Sequence, residues 1–266
     1  MKAFDFSYGE NNKKLSDFGF IICRFGSGGL DTISNGAVVS FNSIPVQNGT
    51  KHELLGSTYE DCLESTIQIC KNPCGGGDME IDQSTFRELT RWLSRRKFLK
   101  FKLLDEDNID LYHEAIINVS RVEIDGRLVG LELEIHTNRP FAVKEPKIIT
   151  VKNLEVDGKH SINDISHEEG YIYPYTEITV NADGDLKIYN AIESRDTYIA
   201  NCVAGEVITM DYPVIESSIS SHNIQNDFNW NFFRVANTYE NSRNDLTISL
   251  PCTIKIKYSP IVKVGL

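Results

Sequence analysis

The 266-residue sequence predicts a mainly β fold in two domains, on three grounds. Only one window, Asp82 to Asp105, carries a helical period, so strands must supply the rest of the core. Elsewhere, short alternating apolar runs stand between Gly, Pro, Asn-Gly and Asp-Gly signals at roughly 8 to 12 residue intervals, the spacing of a β-sandwich. Finally, Val143 to Pro146 separates two such series. The expected domains are therefore 1–142, a β-sandwich or split-barrel-like unit with one α-helix, and 143–266, a β-sandwich.

The first domain opens with a polar stretch, residues 1 to 16, and Asp17-Phe18-Gly19-Phe20 leads into a strand at Ile21-Ile22-Cys23. The segment FGSGGL that follows is superficially like a phosphate loop. It lacks the Gly-Lys-Ser/Thr ending and no helical pattern follows, so a loop requiring positive φ explains its glycines better. Val38 to Phe41 reads as a short strand. Residues 42 to 58 hold Pro45, Asn48-Gly49, His52 and Gly56 with little periodicity and read as a long projecting loop or arm, of a length uncommon without a function. Thr66 to Cys70 alternates as a strand, and Pro73 to Gly77 forms a loop.

In DQSTFRELTRWLSRRKFLKFKLLD, Thr85 and Glu88 have capping-box spacing, and Phe86, Leu89, Trp92 and Leu93 share one face. Arg95, Arg96 and Lys97 are expected in the last turn, where cations complement the helix dipole. The period then changes to two: Leu99, Phe101 and Leu103 alternate with Lys100 and Lys102. Asp105 to Asp110 is expected as an acidic turn, and Tyr112 to Val119 as a strand. Asp125-Gly126 is expected to turn a hairpin into the alternating strand of Leu131, Leu133 and Ile135.

Beyond the boundary, strands are expected at Ile148 to Val151, Leu154 to Val156, Ile178 to Val180, Leu186 to Tyr189, Ile199 to Val203 and Val207 to Met210. Four more follow at Val214 to Ile219, Trp230 to Val235, Leu246 to Leu250 and Thr253 to Tyr258.

Composition narrows the function. A formal net charge of -11 argues against direct nucleic-acid recognition, which draws most of its affinity from Lys and Arg on phosphates, and against an anionic membrane surface. No apolar run approaches the ~20 residues of a membrane span, and the start lacks a secretory h-region. Synthesis in a cytoplasm is expected. Cys23, Cys62, Cys70, Cys74, Cys202 and Cys252 do not make the two close pairs of a zinc site, so thiols are expected and no metal.

No compact catalytic constellation stands out. Glu168 and Glu169 beside His167, and Asp183 near Asp185, offer carboxylates, but Asp183-Gly184-Asp185 is better read as a turn. His52, His113, His136, His160, His167 and His222 show no metal or triad spacing. Tyr171, Tyr173 and Tyr175 alternate around Pro174, as a sugar-stacking platform or, more simply, as core and cross-strand pairs. Phe228, Trp230, Phe232 and Phe233 are expected in the core. No catalytic, cofactor-binding or metal residue is assigned.

Taken in order, several segments resemble the distal tail protein family, Dit, of long-tailed phages with non-contractile tails. They are DFGFIICRFG, IPVQNG, RWLSRRKFLKFKLLD with Tyr112 beyond it, and RPFA, then GDLKIYN, GEVITMD, NDFNWNFFRV and LTISLPCTIKIKYSP. The chain departs from the Arg-Tyr ending of some members, closing instead on SPIVKVGL. The resemblance implies a non-enzymatic structural protein of the virion tail tip, in a phage or prophage. It implies a homohexameric ring built by the N-terminal domains, with galectin-like C-terminal domains outside. The implied partners are a tail tube protein above, a tail-associated hub protein below, and receptor-binding proteins in some phages. The alternative function is a carbohydrate-binding module contacting host-surface glycans.

Overall fold

The computed structural model describes residues 4–26, 38–105 and 110–264. The loop expected at FGSGGL and the acidic turn at Asp105 to Asp110 lie largely outside them. The chain divides into two compact units, Met1–Val143 with Lys263–Leu266, and Lys144–Val262. Mainly β structure is found in both.

The first unit contains β1 (Phe6–Tyr8), β2 (Lys13–Lys14), β3 (Phe20–Cys23), β4 (Val39–Val46), β5 (Lys51–Tyr59) and β6 (Glu64–Lys71). Then come α1 (Gln83–Leu93), β7 (Leu99–Leu103), β8 (Leu111–Ile124), β9 (Arg127–Thr137) and β10 (Ala142–Lys144). Its main sheet runs β2-β1-β7-β8-β9-β6-β3. The sheet curls, because the Ile22 N–H donates 3.0 Å to the Phe4 carbonyl, bringing edge strand β3 back to the residues that lead into β1. Asp125 and Gly126, at φ 51° and 77°, make the tight turn from β8 to β9. Leu131, Leu133 and Ile135 of β9 all face the core, together with Phe101 of β7 and Ile67 and Ile69 of β6.

Helix α1 lays Leu89, Trp92 and Leu93 onto this core, as its period predicts. Trp92 is the centre of an aromatic cluster, stacked on Phe18 at 4.7 Å and on Phe6 at 5.7 Å, with its Nε1–H donating 3.1 Å to the Tyr8 carbonyl. Both ends of the helix differ from expectation. Its cap is Asp82, whose Oδ1 accepts from the Ser84 and Thr85 N–H groups at 2.9 Å, so Thr85 sits inside the first turn. A carboxylate three residues earlier takes the orphan donors of a helix that starts almost one turn sooner, and also complements the positive end of the dipole. The helix stops at Leu93, and Arg95, Arg96 and Lys97 follow it. Arg95 Nε still donates 3.2 Å to the Trp92 carbonyl, so one cation does serve the exposed end.

The second unit contains β11 (Lys147–Asn153), β12 (Gly158–Asn163), β13 (Gly170–Ile172), β14 (Tyr175–Val180), β15 (Gly184–Asn190), β16 (Arg195–Cys202), β17 (Val207–Asp211) and β18 (Val214–Ser217). A single helical turn α2 (Ile224–Asp227) precedes β19 (Val235–Asn237), β20 (Arg243–Ile248), β21 (Cys252–Tyr258) and β22 (Ile261–Val262). Two antiparallel sheets, β11-β21-β14-β17-β18 and β12-β20-β15-β16, enclose one core of alternating residues such as Ile178, Val180, Leu186, Ile188, Ile199, Ile254 and Ile256. This is a β-sandwich. Leu154 to Val156 is not a strand: it is the turn between β11 and β12, with both apolar side chains in solvent. Trp230 to Arg234 is likewise irregular, pinned by side-chain hydrogen bonds instead of a ladder.

Buried amides fix the sandwich. Asn244 Oδ1 accepts from Asn190 Nδ2 and the Ala236 N–H, both at 2.8 Å, while its own amide donates to the Ala236 and Ser242 carbonyls. Asn153 donates to the carbonyls of Glu155, Ile248 and Leu250, closing the chain's path between β11 and β20. Each buried polar group so paired avoids the cost of an unmet donor or acceptor.

Candidate assembly surface

Residues 42 to 58 are not a loop. They belong to the hairpin of β4 and β5, a two-stranded sheet of its own running from Val39 opposite Tyr59 to Val46 opposite Lys51. The Asn-Gly signal does mark its tip, where Gln47, Asn48 and Gly49 take φ of 51°, 56° and 83°. Pro45, which has no N–H, sits opposite His52, and the register shifts between Asn42 and Ser43. The absence of alternation now has a cause. Both faces of this hairpin are in solvent, so neither was required to be apolar throughout.

Among the side chains it exposes are several large apolar ones. Phe41 is 67% exposed, Leu54 60% and Leu55 67%, with Val38 and Ile44 beside them. At the root, Tyr59 packs edge-on against Phe141 at 5.2 Å, which ties the hairpin to the first unit. An isolated two-stranded hairpin is only marginally stable in water, and exposed aliphatic and aromatic side chains along it add a driving force for burial against another surface.

A second exposed feature lies in the sandwich. Tyr171, Tyr173, Tyr212, Phe232 and Trp230 form a continuous chain of ring contacts, with Tyr173 and Tyr212 stacked at 4.2 Å. Phe228, Phe232 and Phe233 are buried as expected, but Trp230 is exposed. Its backbone lies at φ 59°, which points the side chain away from the core that its neighbours fill.

Comparison with known proteins bears on both units. The model of a phage tail protein N-terminal domain matches residues 1–139, and that of a phage tail C-terminal domain matches residues 141–258. This chain belongs to a family of phage tail proteins. A search of curated proteins finds no match. Among solved structures, the tail protein is similar to the SPP1 Dit (gp 19.1) protein, described as a paradigm of hub adsorption apparatus in phages that infect Gram-positive hosts. The two are 10% identical with a TM-score of 0.63, over 96% of this chain and 98% of that one. The tail protein therefore has the Dit fold across both units.

The residues weighed for chemistry are dispersed through this fold. Asp183, in the turn before β15, accepts from the Ala204 N–H, and Asp185, at the start of β15, from the Tyr198 hydroxyl and the Asn201 N–H, so both carboxylates serve local structure. The hydroxyl of Tyr198 and the N–H of Asn201 hold the Asp185 carboxyl below its ordinary range. His136 pairs with Glu64 at 2.9 Å and His160 with Asn153 at 3.0 Å. His113 points into the first core from β8, where burial depresses its pKa to about 4. Among the cysteines, Cys70 is buried and Cys74 exposed, and no group of three or more His, Cys, Asp or Glu side chains placed to hold a metal ion is found among the described residues.

One arrangement escaped the sequence. Glu206, fully buried, accepts from the Ser217 hydroxyl and the Val203 N–H, and its Oε1 lies 2.6 Å from His222 Nδ1. His222 Nε2 lies 3.2 Å from Asp227 Oδ2. Burial alone would raise the Glu206 pKa, but the Ser217, His222 and Val203 contacts together hold it below the usual range. Glu206, His222 and Asp227 are far enough apart in sequence, on a loop, a turn and α2, that no spacing rule would join them.

Proposed function

We propose that this tail protein is the distal tail component of a long-tailed phage or prophage. Six copies close a ring through the N-terminal units, residues 1–142, between the tail tube above and the tail-tip hub below. The sandwich domains, residues 143–266, stand outside that ring and are galectin-like. The role is structural and not enzymatic, and it places the protein at the virion tail tip after assembly in the host cytoplasm.

The observation that carries this reading is the β4–β5 hairpin. In a ring every subunit meets the next through two different surfaces, and an arm that lies on a neighbour is one way to make such a contact close. The exposed Phe41, Leu54 and Leu55 supply the apolar area, and a two-stranded sheet has outer edges along which a neighbour's strand can add. Support also comes from the Dit fold, which spans both units. The ring lumen is proposed to be neutral or acidic, in keeping with the net charge of -11, so that DNA passes without sticking.

Deleting residues 44 to 56 is expected to convert the hexamer to smaller species by light scattering. An unchanged hexamer removes the arm from the account, and a lumen dominated by Lys and Arg removes the electrostatic part.

A further inference from the structure

We propose that the aromatic ledge on the sandwich, formed by Tyr171, Tyr212 and Trp230, is a binding site for a neutral oligosaccharide. The inference stands on this surface alone and does not depend on the ring.

Three separate pieces of chain converge there. Tyr171 comes from the β13–β19 ribbon, Tyr212 from the turn between β17 and β18, and Trp230 from the segment before β19. All three are more than half exposed, at 54%, 55% and 56%. Single exposed aromatics are ordinary, but three joined through Tyr173 and Phe232 make a continuous surface.

The surface is built and held. A bulky residue at positive φ is a backbone outlier, and Trp230 is kept there by a set of polar contacts. Asn229 Oδ1 accepts from the Asn231 and Tyr198 N–H groups, and Asn229 Nδ2 donates to the Asp196 carbonyl. Arg195 donates 2.8 Å to the Phe232 carbonyl and 3.2 Å to Asn231 Oδ1. At the other end the Arg234 guanidinium lies 3.8 Å from the Tyr171 ring centroid and pairs with Glu193 at 2.6 Å. Trp230 touches Phe228 and Phe232 yet keeps more than half of its surface in water at a positive φ, so the arrangement points outward, to a ligand.

The chemistry selects the ligand class. Tyr and Trp faces offer large rigid contact area with few rotors to immobilise, which suits the apolar C–H face of a sugar ring. Beside the rings, the half-buried Asn231 offers an amide to sugar hydroxyls, and the largely buried Arg234–Glu193 pair backs Tyr171. Because Glu193 neutralises Arg234, the ledge offers no net cation, which disfavours a phosphate-rich or carboxylate-rich polymer.

The full-length protein provides its own probe. It has two tryptophans: Trp92 is buried in the first unit and Trp230 is exposed on the ledge. Ligand contact should therefore change emission from Trp230, with Trp92 as internal reference. Neutral oligosaccharides of glucose, galactose, rhamnose and N-acetylglucosamine would be titrated to millimolar concentration, with calorimetry in parallel.

At least one is expected to give saturable binding, weakened tenfold or more by Tyr212→Ala and by Trp230→Ala, with the melting of the sandwich unchanged. Tyr171→Phe, which keeps the ring, should bind as wild type, and Tyr171→Ala should not. No saturable response to any sugar overturns the proposal, as does binding undiminished in both alanine variants. Capture of a protein through these rings without a sugar response also overturns it. A hexamer that fails every sugar titration refutes this inference and leaves the ring intact.

Discussion

Trp92→Ala removes the residue on which the first unit's core converges. The indole is buried against Phe6, Phe18 and Tyr8, and its N–H is the donor to the Tyr8 carbonyl across 84 residues of sequence. Truncating a buried Trp to Ala typically costs about 3 to 5 kcal/mol, from lost transfer free energy and an incompletely collapsed cavity. The lost hydrogen bond, about 1 kcal/mol, falls within that range. For a unit of this size the melting temperature should drop by roughly 10 to 20 °C. Calorimetry with near-ultraviolet circular dichroism reads the effect, and the sandwich transition serves as an internal control. Trp92→Phe keeps the stacking and should cost about 1 to 2 kcal/mol. A hexameric Trp92→Ala protein with unaltered melting would refute the packing role assigned to α1.

Other predictions concern buried polar groups. His113 is neutral in the fold, with its pKa lowered from 6.5 to about 4, so the unfolded chain binds more protons and stability rises with pH. Between pH 7 and 5 this site should cost the first unit about 2 kcal/mol, measured by urea titration, and His113→Leu should flatten that dependence. Glu206, with its pKa lowered, stabilises the sandwich above about pH 4.5 and loses that contribution as pH falls further. Glu206→Gln should cost about 1 to 3 kcal/mol at pH 7 by leaving a buried donor facing donors, and equal stability of the two proteins would contradict the hydrogen-bond assignment. A Cβ at Gly158 would run into Asn153 Oδ1, whose amide is anchored by three carbonyls, so Gly158→Ala should cost about 1 to 3 kcal/mol in thermal melts.

The parts of the fold that the sequence made legible are those where one face is buried. Leu131, Leu133 and Ile135 announce their strand because solvent takes the alternate positions, and Phe86 to Leu93 announces its helix for the same reason. The hairpin of β4 and β5 could not be read that way, since a strand with two wet faces has no obligatory period. Trp230 failed for a related reason: its flanking phenylalanines are core, and only the positive φ of its own backbone turns it outward. The Glu206–His222 pair is invisible in sequence because three non-adjacent segments create it. At the helix start, Asp82 and Thr85 are both competent caps, and tertiary geometry decided between them.

The central claim is the ring, and the most direct test is the mass of the native assembly. Native mass spectrometry of the purified full-length protein should give a closed species of six 30.1 kDa chains that loses its closure when residues 44 to 56 are removed. A protein that stays monomeric at micromolar concentration, or that forms a different closed number with the hairpin intact, would contradict it.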